Sequence, residues 1–131
     1  MTSVIKPVGS PPVLPNGATV PLSPAFRVHD TLYVSGQLAF GSDGRLIEGD
    51  ITAQTLQCLQ NIEKILSEEG VYRSAVVKTT AWLTNKEDFA AFNAAYATFF
   101  AGHNPARSTV RSDLLLPEAR VEIEAIAYIK E

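Results

Sequence analysis

The apolar residues of the chain recur with two different periods, and the change of period predicts where helices and strands lie. Between Asp50 and Gly70 they return every three or four positions, which is the spacing of one buried face of an α-helix. Asp50 is a favourable N-cap and Gly70 a favourable stop. This range is therefore predicted to be an amphipathic helix. Its apolar face carries Leu56, Leu59, Ile62, Ile65 and Leu66.

A second helix is predicted from Lys86 to about Ala101. Asn85 is a suitable cap, the first turn is acidic, and His103-Asn104-Pro105 ends the pattern. The aromatic residues of this helix repeat at helical spacing, which is typical of core positions. They are Phe89, Phe92, Tyr96 and Phe99.

Runs rich in β-branched and aromatic residues predict strands. They cover residues 3–6, 26–28, 31–39, 76–83, 106–112 and 120–129. Most of the prolines lie between residues 7 and 24, together with Gly9 and Gly17, and they predict an irregular surface loop. The order of strands and helices predicts an α+β fold, in which two helices pack on one face of a mixed sheet.

Side chains of a strand alternate between the two faces of a sheet. One face of the predicted sheet is apolar and is expected to pack on the helices. Its residues are Val121, Ile123, Ala125, Ala127 and Ile129 in the last strand, Val77, Thr79, Ala81 and Leu83 in the middle strand, and Leu32, Val34 and Leu38 in the early strand. The opposite face carries Tyr33, Trp82, Ile126 and Tyr128 beside polar residues that include Ser35, Gln37, Glu122 and Glu124. Because monomers rarely expose such a patch, we expect this face to meet other copies of the chain, unless the proline-rich segment folds back over it.

The composition restricts the function further. The chain has 131 residues, of which 46% are hydrophobic and 19% charged, and this suits one domain with a single core. Fourteen acidic and eleven basic residues give a net charge of −3, which disfavours a general nucleic-acid binder. Cys58 is alone, so it forms no internal disulfide, and a tetrahedral zinc site with His29 and His103 lacks ligands. Prolines interrupt the N-terminus, so no signal peptide is predicted, and we expect the protein to be soluble and cytoplasmic.

Six segments of the chain, in one order, resemble the RidA family, also called the YjgF family. They are Leu32-Tyr33-Val34-Ser35-Gly36-Gln37; Asn61 and Gly70 around the first helix; Val77-Lys78-Thr79-Thr80; Asn93-Ala94-Ala95-Tyr96 with Phe99-Phe100; Pro105-Ala106-Arg107-Ser108; and Val121-Glu122-Ile123-Glu124-Ala125-Ile126-Ala127. The similarity runs from about residue 25 to the C-terminus. It predicts a single RidA-like domain over residues 1–131, with a proline-rich N-terminal segment at 1–24 and a core at 25–131.

The resemblance implies a chorismate-mutase-like mixed sheet with two helices on one face, and a homotrimer whose three sheets form a central barrel. It implies active sites between neighbouring subunits and a small-molecule substrate with a carboxylate. The implied activity is hydrolysis of reactive enamines and imines, such as 2-aminoacrylate, to 2-oxo acids and ammonia without a metal or cofactor. Arg107 is implied as the ligand of the substrate carboxylate, and Glu122 is implied to lie near the attacking water.

The residue types at the other candidate positions suit binding of such a substrate. Arg107 can clamp a carboxylate through two parallel hydrogen bonds, and Thr109, two residues on, shares its strand face. Thr109 could hold the second carboxylate oxygen or the imine nitrogen, or it is an ordinary strand residue. Gly36 lets a ligand approach the backbone next to Ser35, or it marks a β-bulge. Phe89, at the start of the second helix, is a candidate pocket wall.

Glu122 and Glu124 share the polar strand face, where two carboxylates raise each other's pKa unless a cation compensates. We expect one of them to meet Arg107 or a water. A carboxyl with a raised pKa can deliver water to the imine carbon and protonate the departing amine, and Glu122 is favoured for this role. Glu124 is more typical of a solvated or salt-bridged carboxylate. Lys78 would have to be desolvated to act as a nucleophile, so we interpret it as structural.

Two features differ from RidA relatives that act as deaminases. Those relatives have a tyrosine before Ser-Gly-Gln that packs over the ligand, where this chain offers Leu22 or Phe26. The loop between Phe100 and Pro105 is also shorter. Two other functions stay open: a non-catalytic sensor that binds a 2-oxo acid in the same cleft, and an endoribonuclease, which the net charge disfavours.

Overall fold

The sheet has six strands, and their order in space differs from their order in the sequence. The structure is a computed structural model that describes residues 4–129. The strands are β1 (Ile5–Val8), β2 (Ala25–Val28), β3 (Thr31–Gln37), β4 (Val76–Leu83), β5 (Ala106–Arg111) and β6 (Val121–Tyr128), and the helices are α1 (Ile51–Ser67) and α2 (Phe89–Phe100). The spatial order is β1-β2-β3-β6-β4-β5, and among the described strands only β4 and β5 pair in parallel. The predicted α+β fold with a mixed sheet is confirmed; Ser3, predicted to begin the first strand, lies outside the described residues.

The two helices begin differently: a side chain caps α1, whereas α2 continues from a 3₁₀ turn. The carboxylate of Asp50 accepts a hydrogen bond from the N–H of Ala53 at 3.0 Å, as expected of an N-cap. α2 begins at Phe89 rather than at Lys86, because residues 86–88 form a 3₁₀ turn. It ends where Ala101 adopts a left-handed conformation with φ 50°. Neither described helix has the length and apolarity that a membrane-spanning segment needs.

The core lies between the two helices and one face of the sheet, which we call the helix face; the other is the open face. β6 supplies the centre of the core, and alternation correctly predicts its buried residues. They are Val121, Ile123, Ala125, Ala127 and Ile129. The helices contribute Leu59, Ile62, Leu66, Phe92, Tyr96 and Phe99. Each fully buried Leu or Phe side chain stabilises the fold by about 1.5–3 kcal/mol.

A bulge in β4 changes which side chain reaches the helix face. The pairing with β6 shifts by one residue after Val76. Val76 is therefore buried, whereas Val77 is 49% exposed. The prediction that Val77 packs on the helices is wrong, because the inserted residue reverses the alternation at this end of the strand.

A second bulge lies in β3, between Val34 and Gln37. Gln37 pairs with Ile123 of the helix face, and beyond it Ala39 is fully buried while Leu38 is only partly buried. The predictions that Gln37 faces the open side and Leu38 faces the helices are wrong for the same reason. One extra residue exchanges the two faces for the rest of the strand.

The open face stays uncovered by the proline-rich segment. Tyr33 and Tyr128 on this face are 49% and 51% exposed. The segment instead forms a small hairpin, in which Val13 pairs with Thr19, and β1 adds to the edge of the sheet beside β2. The alternative in which the segment folds over these tyrosines is therefore wrong for the described chain.

An ion pair joins the start of α2 to the start of β6. Arg120 donates from Nε and Nη2 to the two carboxylate oxygens of Asp88, at 3.1 and 2.6 Å. Asp88 is only 7% exposed, and the backbone N–H of Arg120 also donates to Gln54 Oε1 at 2.9 Å. A two-pronged contact of this kind fixes orientation as well as distance. It sets the relative position of the two elements that carry candidate site residues.

Candidate active site

Arg107 lies in the edge strand β5 with its guanidinium on the helix face. It is in register with Thr79 of β4, whose side chain is buried there. Nη2 donates to Asn93 Oδ1 at 2.8 Å, and the guanidinium carbon lies 4.8 Å from the ring centroid of Tyr96 and 5.2 Å from that of Phe92. The amide and the ring faces hold the cation in one position. Because Asn93 is its only side-chain hydrogen-bond partner within residues 4–129, the remaining N–H groups can receive a carboxylate.

The surroundings of this guanidinium are fixed on one side and open on the other. The buried hydroxyls of Tyr96 and Thr79 share a hydrogen bond of 2.7 Å, and burial raises the pKa of Tyr96. On the open side, Phe89 is 46% exposed, and its ring centroid lies 5.9 Å from the guanidinium carbon of Arg107. Thr109 pairs with Ala81 and therefore faces the same side as Arg107.

Glu122 lies on the open face of β6, directly opposite Trp82 of β4. Its carboxylate packs over the backbone of Gly36, where an added Cβ would overlap Glu122 Oε2. Gly36 also lies within the bulge of β3, so it both forms the bulge and leaves room for the carboxylate. Any side chain at position 36 would push the carboxylate away.

The environment of Glu122 favours its neutral form. Burial raises the pKa of Glu122, and the negative charge of Glu124 raises it further. Glu124 itself is exposed, and within the described part of the chain no cation pairs with either carboxylate. A depression of about 200 Å³ opens beside Glu122. It is lined by Trp82, Ser112, Asp113, Leu114, Leu115 and Glu122.

Ser35 ties β3 to the proline-rich segment. Its hydroxyl donates to the carbonyl of Ser23 at 2.6 Å, and its N–H donates to the carbonyl of Pro24 at 2.9 Å. Both hydrogen-bond donors of Ser35 are therefore engaged. A ligand at this place would meet the backbone of Gly36 rather than the donors of Ser35.

The two candidates to replace the family tyrosine differ in their surroundings. Leu22 and Phe26 are each 40% exposed. Phe26 lines a second depression of about 360 Å³ on the open face, together with Tyr33 and Glu124. Leu22 does not line this depression, so of the two candidates only Phe26 lies there, beside Tyr33.

Lys78 and the two histidines have surroundings that a structural role explains. Lys78 Nζ donates to Ser108 Oγ at 3.0 Å, and His103 Nε2 donates to the carbonyl of Val76 at 2.6 Å. His29 is exposed in the turn between β2 and β3, with φ 52°. Residues 4–129 bring together no group of three His, Cys, Asp or Glu side chains that could hold a metal ion.

Arg107 and Glu122 lie on opposite faces of the sheet. Arg107 is in register with Thr79 and Glu122 with Trp82, and these two β4 residues point to opposite sides. Within a single chain, therefore, neither Glu122 nor Glu124 meets Arg107, and the other expected partner, a water, stays a prediction. The side-chain bond found for Arg107 in the described residues goes to α2 instead.

Asn93 and Trp82 shape these sites but are absent from the candidates chosen by sequence. Asn93 comes four residues after Phe89 and three before Tyr96, so helical spacing places all three on one face. This spacing could have identified Asn93 as a site residue.

Strand alternation correctly predicts that Trp82 lies on the open face, but only the pairing of the strands shows that it lies opposite Glu122.

Comparison with known proteins gives consistent matches over nearly the whole chain. The family model described as endoribonuclease L-PSP matches residues 15–129. A 2-iminobutanoate/2-iminopropanoate deaminase of Mus musculus is 40% identical over 128 residues, which is 97% of this chain and 94% of the mouse protein. The YjgF gene product of E. coli has a crystal structure that matches with a TM-score of 0.83 at 31% identity, over 95% of this chain and 99% of that one. E. coli TdcF with bound serine matches with a TM-score of 0.83 at 29% identity, over 95% and 99% of the two chains.

Proposed function

The chain belongs to the endoribonuclease L-PSP family, also known as the RidA or YjgF family, and on this premise we propose that it hydrolyses 2-imino acids to 2-oxo acids and ammonia. The names of its mammalian relatives support an enzyme that deaminates imines. The observation that carries the proposal is the position of Arg107. A guanidinium held by Asn93 and an aromatic ring, with N–H groups left over, suits a carboxylate that must be bound in a fixed orientation.

In the proposed site, Arg107 binds the substrate carboxylate and thereby places the neighbouring imine carbon. The exposed ring of Phe89 forms one wall beside the guanidinium. Thr109, on the same strand face, can donate its hydroxyl to the second carboxylate oxygen or to the imine nitrogen. The serine bound to the E. coli relative is an amino acid with a carboxylate, which agrees with this substrate class.

Glu122 is proposed to act first as the general base that activates the water and then as the general acid that protonates the nitrogen. An enamine first takes a proton on carbon and becomes the imine. Water then adds to the carbon of the protonated C=N bond, and Glu122 takes a proton from that water. The same carboxyl returns the proton to nitrogen, and the C–N bond then breaks as the carboxylate takes the hydroxyl proton, the C=O bond forms and ammonia leaves. The reaction balances with water alone and involves no change of oxidation state, and we propose it without a metal or cofactor.

We further propose that each site is shared by two copies of the chain within a homotrimer. Arg107 and Glu122 are on opposite faces of one sheet, so a single small substrate meets both only if they come from different copies. Two features support the assembly: β5, which carries Arg107, is an edge strand, and the open face exposes Tyr33 and Tyr128. A cyclic arrangement in which one copy's edge meets the next copy's open face would supply identical sites.

The test of the activity is the Arg107→Ala variant, assayed with imines that an amino-acid oxidase produces. Loss of a two-pronged charged contact costs about 1.5–3 kcal/mol, so kcat/KM should fall on the order of 10- to 100-fold. Arg111→Ala is the matched control, because it removes an exposed arginine from the end of the same strand. The release of ammonia and 2-oxo acid should stay near the wild-type rate in this control.

The assay also separates the rival functions. If the wild-type protein binds a simple 2-oxo acid tightly but imine hydrolysis matches buffer, the protein is a binding module and the deaminase proposal is refuted. The family description also names an endoribonuclease. The net charge of −3 disfavours that activity for this chain, and an RNA cleavage assay with the Arg107→Ala protein as control tests it directly.

A further inference from the structure

We propose that Asn93 is a positioning residue that orients Arg107 without neutralising it, so that the full positive charge remains for the carboxylate of the substrate. An amide at this position, rather than a carboxylate, would then set how tightly the site binds an anion. This inference rests on the proposed deaminase function, and it adds the residue on which the strength of carboxylate binding depends.

The half-buried arginines of the described chain differ in the group that holds them. Three of the four form ion pairs: Arg27 with Glu69, Arg73 with Glu63 and Arg120 with Asp88. Arg107 is the fourth, and it donates from Nη2 to the neutral amide of Asn93, at 2.8 Å from Oδ1. A carboxylate would make a stronger, charge-assisted bond. The fold uses that stronger bond for the other three arginines and not for Arg107.

The remaining contacts of the Arg107 guanidinium are also neutral. The ring centroids of Phe89, Phe92 and Tyr96 lie 5.9, 5.2 and 4.8 Å from its central carbon. Tyr96 stays uncharged, because burial raises its pKa and its hydroxyl is hydrogen-bonded to Thr79. Within residues 4–129 none of the ion pairs includes Arg107. A half-buried cation without an anion is costly, so an incoming carboxylate would stabilise this arrangement.

Asparagine and aspartate have nearly the same shape, so the charge at position 93 can be tested separately from the geometry. In Asn93→Asp the side chain still accepts the bond from Arg107 Nη2, and the bond becomes charge-assisted and stronger. The new negative charge also cancels much of the attraction of the guanidinium for a second carboxylate. A purely structural role predicts that Asp replaces Asn93 better than Ala does. The proposed role predicts the reverse order for anion binding.

The test measures the Kd of 2-oxobutyrate by titration calorimetry, together with KM and kcat for the 2-aminobutyrate imine. We expect Asn93→Asp to raise Kd and KM on the order of 10- to 100-fold with little change in kcat. Asn93→Ala keeps the charge of Arg107 and loses one neutral hydrogen bond, so it should raise them by only about 2- to 10-fold. Thermal unfolding at pH 7 should show Asn93→Asp melting at or above the wild-type temperature.

Asn85→Asp is the matched control. It makes the same exchange of amide for carboxylate at an exposed residue, which caps the turn before α2 by accepting from the N–H of Glu87 at 3.0 Å. Aspartate is an equally good cap, so Kd, KM and kcat should equal those of the wild type. If Asn93→Asp binds 2-oxobutyrate as tightly as Asn93→Ala or more tightly, the inference is overturned.

A second pair of variants covers the case in which Asn93→Asp does not fold. Asn93→Gln and Asn93→Glu make the same comparison with one added methylene, and equal Kd values for these two would overturn the inference. Failure of the proposed function looks different. A wild-type protein that binds 2-oxobutyrate but hydrolyses no imine refutes the deaminase, while the order of the Kd values still tests Asn93. A wild-type protein that neither binds 2-oxobutyrate nor hydrolyses imines refutes both.

Discussion

At the scale of single residues, Gly36 and Glu122 depend on each other. Replacing Gly36 by Ala forces the flexible end of the Glu122 side chain to move, and holding a side chain away from its preferred rotamer costs about 0.5–1.5 kcal/mol. We expect the free energy of unfolding, measured by urea titration at one protein concentration, to fall by that amount in Gly36→Ala. In a Glu122→Ala background the same change should cost little, because the overlapping atoms are gone.

This double-mutant cycle isolates the contact between the two residues. Gly36 is not among the glycines with positive φ, so backbone strain does not add to the cost. Imine hydrolysis should decrease in Gly36→Ala along with the displaced carboxylate. An equal loss of stability in both backgrounds would show that the glycine serves the bulge alone.

The raised pKa of Glu122 makes a prediction about pH. Burial is the larger cause and the charge of Glu124 the smaller one, so the folded protein holds this proton more tightly than the unfolded chain. Its contribution to stability is fully present below the ordinary pKa and is lost as the pH rises through the raised pKa. Glu122→Gln should therefore melt at a higher temperature than wild type at pH 7, with a difference that shrinks toward pH 4.

The control for this prediction is Glu124→Gln. It removes the smaller cause and should lower the pKa of Glu122, which moves any Glu122-dependent step of the pH–rate profile to lower pH. The Glu122→Gln variant should at the same time lose activity, because the glutamine amide stabilises the fold but cannot transfer the proton. A melting difference that does not change between pH 7 and pH 4 would contradict this account of Glu122.

At the scale of elements, hydrophobic periodicity predicts the buried residues correctly wherever one face of an element is uniformly apolar and buried. β6 follows its predicted pattern because every core-facing position in it is apolar and fully or nearly buried. In α1, Leu59, Ile62 and Leu66 are buried as predicted, whereas Leu56 and Ile65 are only partly buried. The assignments failed at Val77 and Gln37, where a bulge adds one residue and reverses the faces. Nothing in the local sequence shows which residue faces the helices at this end of β4, because Val76 and Val77 are both valine.

The candidate site was likewise predictable only in part from the sequence. The residue types of Arg107 and Glu122 were readable from the sequence, but their placement on opposite faces depends on which β4 residues they pair with. Such register is a property of the assembled sheet and not of either strand. The support that Asn93 gives to Arg107 is likewise a contact between α2 and β5, 14 residues apart in the chain.

At the scale of the whole molecule, the open face predicts the effect of a charge placed at its centre. Ile126 lies on this face, between Tyr33 of β3 and Lys78 of β4. If copies of the chain meet there, Ile126→Asp buries a carboxylate in the contact, and its desolvation is costly even beside Lys78. We expect light scattering to report a smaller particle than wild type, with imine hydrolysis reduced in parallel and far-UV circular dichroism unchanged.

Tyr72→Asp is the control for this experiment, because Tyr72 is 57% exposed and lies outside the sheet. It should leave both mass and activity unchanged. A wild-type protein that is fully active with the mass of one chain at micromolar concentration would contradict the proposed assembly altogether.

The separation of Arg107 from Glu122 also predicts what happens when two inactive variants are combined. Arg107→Ala and Glu122→Gln should each keep only a small fraction of the wild-type activity when expressed alone. If every site takes one residue from each of two neighbouring copies, random mixed oligomers contain some sites in which both residues are intact, about a quarter of the total in a cyclic assembly. Co-expression of the two variants should therefore restore about a quarter of the wild-type rate. Co-expression of Arg107→Ala with the double variant should restore nothing, since no intact arginine is present. If the first mixture also stays inactive although mass spectrometry shows mixed oligomers, the two residues do not act together across copies, and the shared site is wrong.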